Sequence, residues 1–157
     1  IHKKPFKDSR GLFERVFCIN EIKSYLPGFE IAQINHSYTN KPGVIRGLHF
    51  QLAPFTEDKI VTCLRGAIFD VAVDLRKSSP TYLTWYGEIL SEDNHKSLFI
   101  PKGFAHGFQS LSENVHTLYI NSNIYSREYE SGLNPFDMKL NIKWPQDVSD
   151  ISEQDKF

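Results

Sequence analysis

Two histidines stand where an imidazole could do chemistry. His49 lies in Arg46-Gly47-Leu48-His49-Phe50-Gln51, and His106 in Pro101-Lys102-Gly103-Phe104-Ala105-His106-Gly107-Phe108. Each sits among small and apolar residues in strand-like sequence. Imidazole is the side chain whose unperturbed pKa is nearest neutrality, so two in half-buried strands point to proton transfer or metal ligation. Ligation needs more donors than the chain offers here. With only His49 and His106 as candidate nitrogen ligands, a closed metal site lacks donors. A two-histidine site completed by Asp70 is the disfavoured alternative, and no metal is expected.

These histidines must be held by strands. Residues 44–51, 59–64, 67–75, 82–90, 97–100, 107–111 and 115–121 read as strands. Turn formers separate them: Lys41-Pro42-Gly43, Arg65-Gly66, Lys77-Ser78-Ser79-Pro80, Glu92-Asp93-Asn94 and Ser112-Glu113-Asn114. One short helix is expected over residues 21–26, ended by Pro27-Gly28. Many short strands at this spacing favour a sandwich or barrel over a βαβ fold. Period-two alternation from Ile68 to Leu75 places Phe69, Val71, Val73 and Leu75 on one face, a core face. Asp70 and Asp74 share the other with Ile68 and Ala72; Asp70 reads as facing a polar interior and Asp74 as a solvated strand end. The same alternation sets His49 on the opposite side from Arg46. Both can serve one pocket only if the strand twists or bulges, or if Arg46 serves a partner subunit.

The composition bounds the rest. The chain has 157 residues, enough for one domain (residues 1–157) with a sizeable core and short for two. Hydrophobic residues make up 40% and aromatics 13%, a globular composition that leans towards sheet. A net charge of −1 gives no electrostatic reason to expect a nucleic-acid or membrane surface. Cys18 and Cys63 are too few for a disulfide framework. No stretch is apolar enough to span a bilayer, and Ile1-His2-Lys3-Lys4-Pro5 lacks the apolar core of a signal peptide. The expectation is a soluble, cytoplasmic domain, and the abrupt start suggests that further sequence precedes Ile1.

The segment Pro101-x-Gly103-x-x-His106 resembles the second motif of the cupin superfamily. A longer set of blocks resembles the dTDP-4-dehydrorhamnose 3,5-epimerase family. It comprises Asp8-Ser9-Arg10-Gly11, Gln33-Ile34-Asn35-His36-Ser37, residues 46–51, residues 69–76 and residues 79–81. Residues 100–108, Trp144-Pro145 and Ser152-Glu153-Gln154-Asp155 complete it, nearly end to end and in the family's order. The resemblance implies an all-β cupin jelly-roll barrel with short peripheral helices, working as a homodimer without cofactor. Its implied reaction inverts the carbons flanking the ketone of a nucleotide-linked 4-keto-6-deoxyhexose, for surface-polysaccharide deoxysugar synthesis. The ketone acidifies those C–H bonds by holding the resulting charge as an enolate.

Carried over residue by residue, the resemblance makes His49 the base, Asp155 its orienting partner and Tyr119, thirteen residues after His106, the acid on the other face. Lys59 and His106 resemble residues near the sugar and its keto oxygen, with Asp70 behind them. Arg10 and Arg46 match diphosphate contacts, Gln33, Asn35 and Glu130 match nucleotide-sugar contacts, and Tyr125 matches an aromatic that stacks on the base. Some positions depart from the family's pattern: Arg15, Ile34, Ile120, Gln154 and Pro135-Phe136. They cluster where nucleotide and phosphates would be read. Single-carbon epimerisation, a CDP- or GDP-linked sugar, and a non-catalytic sugar-nucleotide-binding cupin are therefore the alternatives.

Overall fold

The computed structural model describes residues 1–156. In chain order the elements are β1 (Phe6–Asp8), β2 (Gly11–Phe13), α1 (Ile19–Tyr25), β3 (Gln33–Thr39), β4 (Val44–Gln51), β5 (Lys59–Arg65) and β6 (Ala67–Asp74). They continue with β7 (Trp85–Ser91), β8 (Ser97–Ile100), β9 (Phe104–Ser110), β10 (Val115–Asn121), β11 (Glu130–Gly132) and β12 (Asp150–Ile151). One sheet runs β3-β10-β5-β8; the other runs β11-β4-β9-β6-β7, with β12 added parallel to β4. Apart from that pair the ladders are antiparallel, and the two sheets face each other as a jelly roll. Strands 44–51, 97–100 and 115–121 fall where the alternation placed them. The strand expected over 82–90 starts three residues later, at Trp85, because Ser79, Thr81 and Leu83 belong to turns that close on Asp74.

Three apolar clusters make three layers. Val61, Cys63 and Val115 from one sheet meet Ile68, Ala72 and Phe108 from the other, between the sheets. Outside the second sheet, Leu48, Val71, Val73 and Ala105 are covered by Leu140, Ile142 and Trp144 of the C-terminal segment. Outside the first sheet, Ile60 and Ile120 are covered by Ile22 of α1 and by Phe29. β6 is thus buried on both faces. Its fully apolar face turns outward under the C-terminal segment, while Asp70 turns into the barrel.

Asp74 is not a solvated strand end. It is 1% exposed, and its carboxylate accepts from the Arg76 backbone and guanidinium, Ser79 Oγ and Thr81 Oγ1. The Arg76 guanidinium holds this carboxyl far below the usual carboxylate range. Three residues of the following turn, Arg76, Ser79 and Thr81, serve in part to satisfy one buried charge.

β4 carries one residue more than its partner. Arg46 pairs with Phe108 and His49 with His106, so three steps along β4 match two along β9. This bulge shifts the inside–outside parity, and Arg46 and His49 both face the interior. The Gly47–Leu48 peptide is cis, and Gly47 has φ +103°. Gly47 and Gly107 abut: a Cβ on Gly107 would lie 2.6 Å from the Arg46 carbonyl oxygen and 2.9 Å from Leu48 Cδ2. Of the two neighbours, the backbone carbonyl cannot swing aside. Gly107→Ala is therefore expected to cost about 2 kcal/mol through overpacking, read as a Tm drop of roughly 5 °C. An unchanged Tm would show that the strands can part without penalty.

Candidate active site

A cavity of about 950 Å³ opens between the sheets. Gln33, Asn35 and Ser37 of β3, Tyr119 and Asn121 of β10 and Lys59 of β5 form one wall. Arg46 and His49 of β4, His106 of β9 and Glu130 of β11 form the other. Register sets the rows of the first wall. Asn121 pairs with both Gln33 and Lys59, Tyr119 with Asn35, and Thr117 with Ser37.

The C-terminal segment completes the second wall. β12 pairs Asp150 with Val44 and Ile151 with Ile45, which delivers the following 3-10 turn, Glu153–Asp155, to the bulge. Ser152 caps that turn, its Oγ accepting the Asp155 N–H at 3.2 Å. Asp155 Oδ1 lies 2.7 Å from His49 Nε2, and Asp155 Oδ2 accepts the Gly47 N–H at 3.2 Å. Asp155 is 5% exposed. A buried carboxylate on Nε2 fixes the tautomer that carries its proton there.

A second pair of the same kind stands beside it. His106 Nε2 is 2.7 Å from Asp70 Oδ1, both side chains being buried. Asp70 does not line the cavity; it stands behind His106, and among the described residues its Oδ2 has no hydrogen-bond partner. Each imidazole thus spends its Nε2 on a carboxylate. Across the cavity, the Tyr119 ring meets the His106 ring edge to face, with centroids 6.2 Å apart. Tyr119 OH is 2.9 Å from Ser37 Oγ. Burial pushes the Tyr119 phenol up to about 12, against the opposing pull of the Ser37 hydrogen bond. Lys59 Nζ pairs with Glu57 Oε1 at 3.0 Å, and Asn121 Nδ2 donates to Glu57 Oε2 at 2.7 Å.

Polar groups at the cavity edge are already organised. Gln33 Nε2 donates to Asn35 Oδ1, and Gln33 Oε1 accepts the Tyr125 N–H. Glu130 Oε2 accepts from Tyr125 OH at 2.8 Å and from Gln154 Nε2 at 3.2 Å. The Arg46 guanidinium is braced by Thr39 Oγ1 and the Tyr38 carbonyl. Of the twelve residues singled out from sequence, Arg10 alone lies away from this group. It sits on the β1–β2 hairpin, exposed and ion-paired with Asp8 at 2.6 Å. Ser37, Glu57 and Asn121 line the cavity without having been singled out. Ser37 stands two residues from Asn35 on β3 and Asn121 two from Tyr119 on β10, the spacing that shares a strand face, while Glu57 lies in the loop two residues before Lys59.

Known proteins resemble this chain over nearly its whole length. The family profile described as dTDP-4-dehydrorhamnose 3,5-epimerase matches residues 1–157. The dTDP-4-dehydrorhamnose 3,5-epimerase of Shigella flexneri is 44% identical over 97% of this chain and 84% of its own length. The crystal structure of the Bacillus anthracis dTDP-4-dehydrorhamnose 3,5-epimerase, with TDP and PPi bound, superposes with a TM-score of 0.93. The two are 39% identical over 99% of this chain and 89% of that one. A 3′-monoepimerase of Streptomyces bikiniensis in complex with dTDP-quinovose gives 0.91 at 28% identity, over 99% and 79%. Profile, sequence and fold converge over nearly the whole length, and the chain belongs to the dTDP-4-dehydrorhamnose 3,5-epimerase family, whose members are isomerases.

Proposed function

We propose that this domain, residues 1–157, inverts C3 and C5 of a dTDP-linked 4-keto-6-deoxyhexose without a metal, by way of an enolate. The observation that carries the reading is the placement of a carboxylate-paired imidazole, His49, on one wall and a protonated phenol, Tyr119, on the other. Inversion at a carbon acid requires proton removal from one face of the sugar ring and proton return to the opposite face. His49 Nδ1 takes the proton, and Asp155 stabilises the imidazolium that results. With its phenol at about 12, Tyr119 stays protonated near neutral pH, the form an acid needs. Lys59 and His106 hold the charge that develops on the keto oxygen. Gln33, Asn35, Glu130 and Tyr125 receive the nucleotide, and Arg46 a phosphate, which suits a guanidinium fork. The product is a deoxysugar precursor of the kind built into surface polysaccharide.

General acid–base groups are typically worth ~10²–10⁴-fold. His49→Ala is expected to abolish deuterium entry at the substrate carbons while the far-UV circular dichroism stays native. Tyr119→Phe is expected to lower turnover by the same order with dTDP affinity little changed. Near-normal exchange in His49→Ala would remove it as the base. A Tyr119→Phe defect confined to affinity would make that ring a cavity wall.

The working form in this reading is a homodimer. The β1–β2 hairpin leaves Phe6 80%, Leu12 55% and Phe13 75% exposed, and exposed apolar clusters mark interaction surfaces. Arg10 sits at the tip of that hairpin, so docking it on a second copy carries Arg10 of the partner subunit to the diphosphate. Mixing inactive Arg10→Ala and His49→Ala subunits should then restore turnover, because the mixed dimer has one complete site. Activity that stays absent after subunit exchange would contradict the donation.

A further inference from the structure

Delivery of the Tyr119 proton leaves a phenolate in a place that disfavours charge, and each turnover has to return a proton to it. Among the described residues, His106, Thr117 and Ser37 stand beside the Tyr119 side chain, and the Arg46 charge also favours the phenolate. His106 presents its ring edge, with Nε2 held by Asp70. Thr117 also pulls on the phenol, more weakly than Ser37, but it is fully buried and does not line the cavity. Ser37 differs from both. Its Oγ is 2.9 Å from the phenol oxygen, it is half-buried, and it lines the cavity. Cross-strand pairing with Thr117 fixes the Ser37 backbone, so the hydroxyl can rotate between the phenol and the cavity without the strand moving.

We propose that Ser37 is the positioning residue of Tyr119 and the route by which its proton is restored. The inference rests on the epimerase reading above. In the cycle, His49 gains the proton from the substrate carbon and Tyr119 O–H gives one to the enolate from the opposite face. Ser37 O–H then passes its proton to the phenolate while taking one from water in the cavity. The His49 imidazolium releases its proton to solvent, so enzyme and proton count return to the start. A hydrogen bond donated to an anionic oxygen is roughly twice as strong as one to a neutral partner. Ser37 therefore helps most at the moment the phenolate forms. Burial sets the phenol high, and the Ser37 bond is the largest influence acting the other way.

The test separates the two faces of the reaction. In deuterated water, a carbon that loses its proton to His49 and regains a deuteron from the same face shows exchange with retention. Delivery by Tyr119 shows exchange with inversion. Ser37→Thr and Ser37→Val have the same shape and differ by the hydroxyl. In Ser37→Val, inversion of dTDP-4-keto-6-deoxyglucose is expected to fall about 10–100-fold, the worth of a hydrogen bond to a charged group. Exchange with retention and dTDP affinity should change less than about threefold, and Ser37→Thr should recover most of the inversion. Parallel loss of both exchange modes, or full inversion by Ser37→Val, would overturn the proposal. Wild-type protein in the same tubes separates the two readings. If it neither exchanges nor inverts, the epimerase reading falls and this one with it; if it inverts as fast as Ser37→Val, only the role of Ser37 falls.

Discussion

The site depends on one extra residue in β4. In a regular strand, residues three apart face opposite sides of the sheet, and Arg46 and His49 could not both reach the cavity. The bulge between them reverses the parity, and the Gly47–Gly107 contact is what lets β4 and β9 stay paired around it. Asp155 then joins the irregularity to the chemistry. One of its oxygens takes the Gly47 N–H inside the bulge, and the other takes His49. The same carboxylate that satisfies the distorted backbone orients the imidazole, so fold defect and dyad are one feature.

Around that point the barrel supplies two walls instead of one surface. His49 and His106 are register partners on one sheet; Tyr119 and Lys59 lie on strands of the other. In the proposed reaction, a planar enolate held between the two walls would meet His49 and Tyr119 on opposite faces with no rearrangement of the protein. Buried carboxylates are costly unless paired, and Asp155 and Asp70 are each paired with an imidazole. The barrel's outer faces add apolar packing to the core between the sheets: the C-terminal segment packs on one sheet and α1 on the other. That division lets the interior stay polar on its cavity side.

Strand extents were largely legible in the sequence, and 44–51 and 115–121 were found residue for residue, although alternation alone did not place the bulge inside 44–51. β3 was not. In Gln33-Ile34-Asn35-His36-Ser37-Tyr38-Thr39 the polar residues face inward onto the cavity and Ile34 and Tyr38 face out, the reverse of a normal surface strand. The β1–β2 hairpin is exposed throughout, so it carries no burial pattern to read. Asp74 was misread because its partners Ser79 and Thr81 look like ordinary turn residues. His49 and His106 stood out by their neighbours, whereas Asp155 lies 106 residues from His49 and came only from the family's tail motif. Ser37 and Tyr119 are 82 residues apart, and only the register of β3 on β10 brings them together.

The central claim is that one enolate-forming cavity inverts both carbons flanking the ketone with side chains alone. Proton NMR of the wild-type protein with dTDP-4-keto-6-deoxyglucose, in deuterated water containing EDTA, addresses it most directly. The account predicts deuterium at both C3 and C5, with the inverted sugar accumulating and no loss of rate from the chelator. Deuterium at one carbon only would restrict the chemistry to a single epimerisation. No deuterium at either carbon, or activity that vanishes with EDTA, would contradict the account.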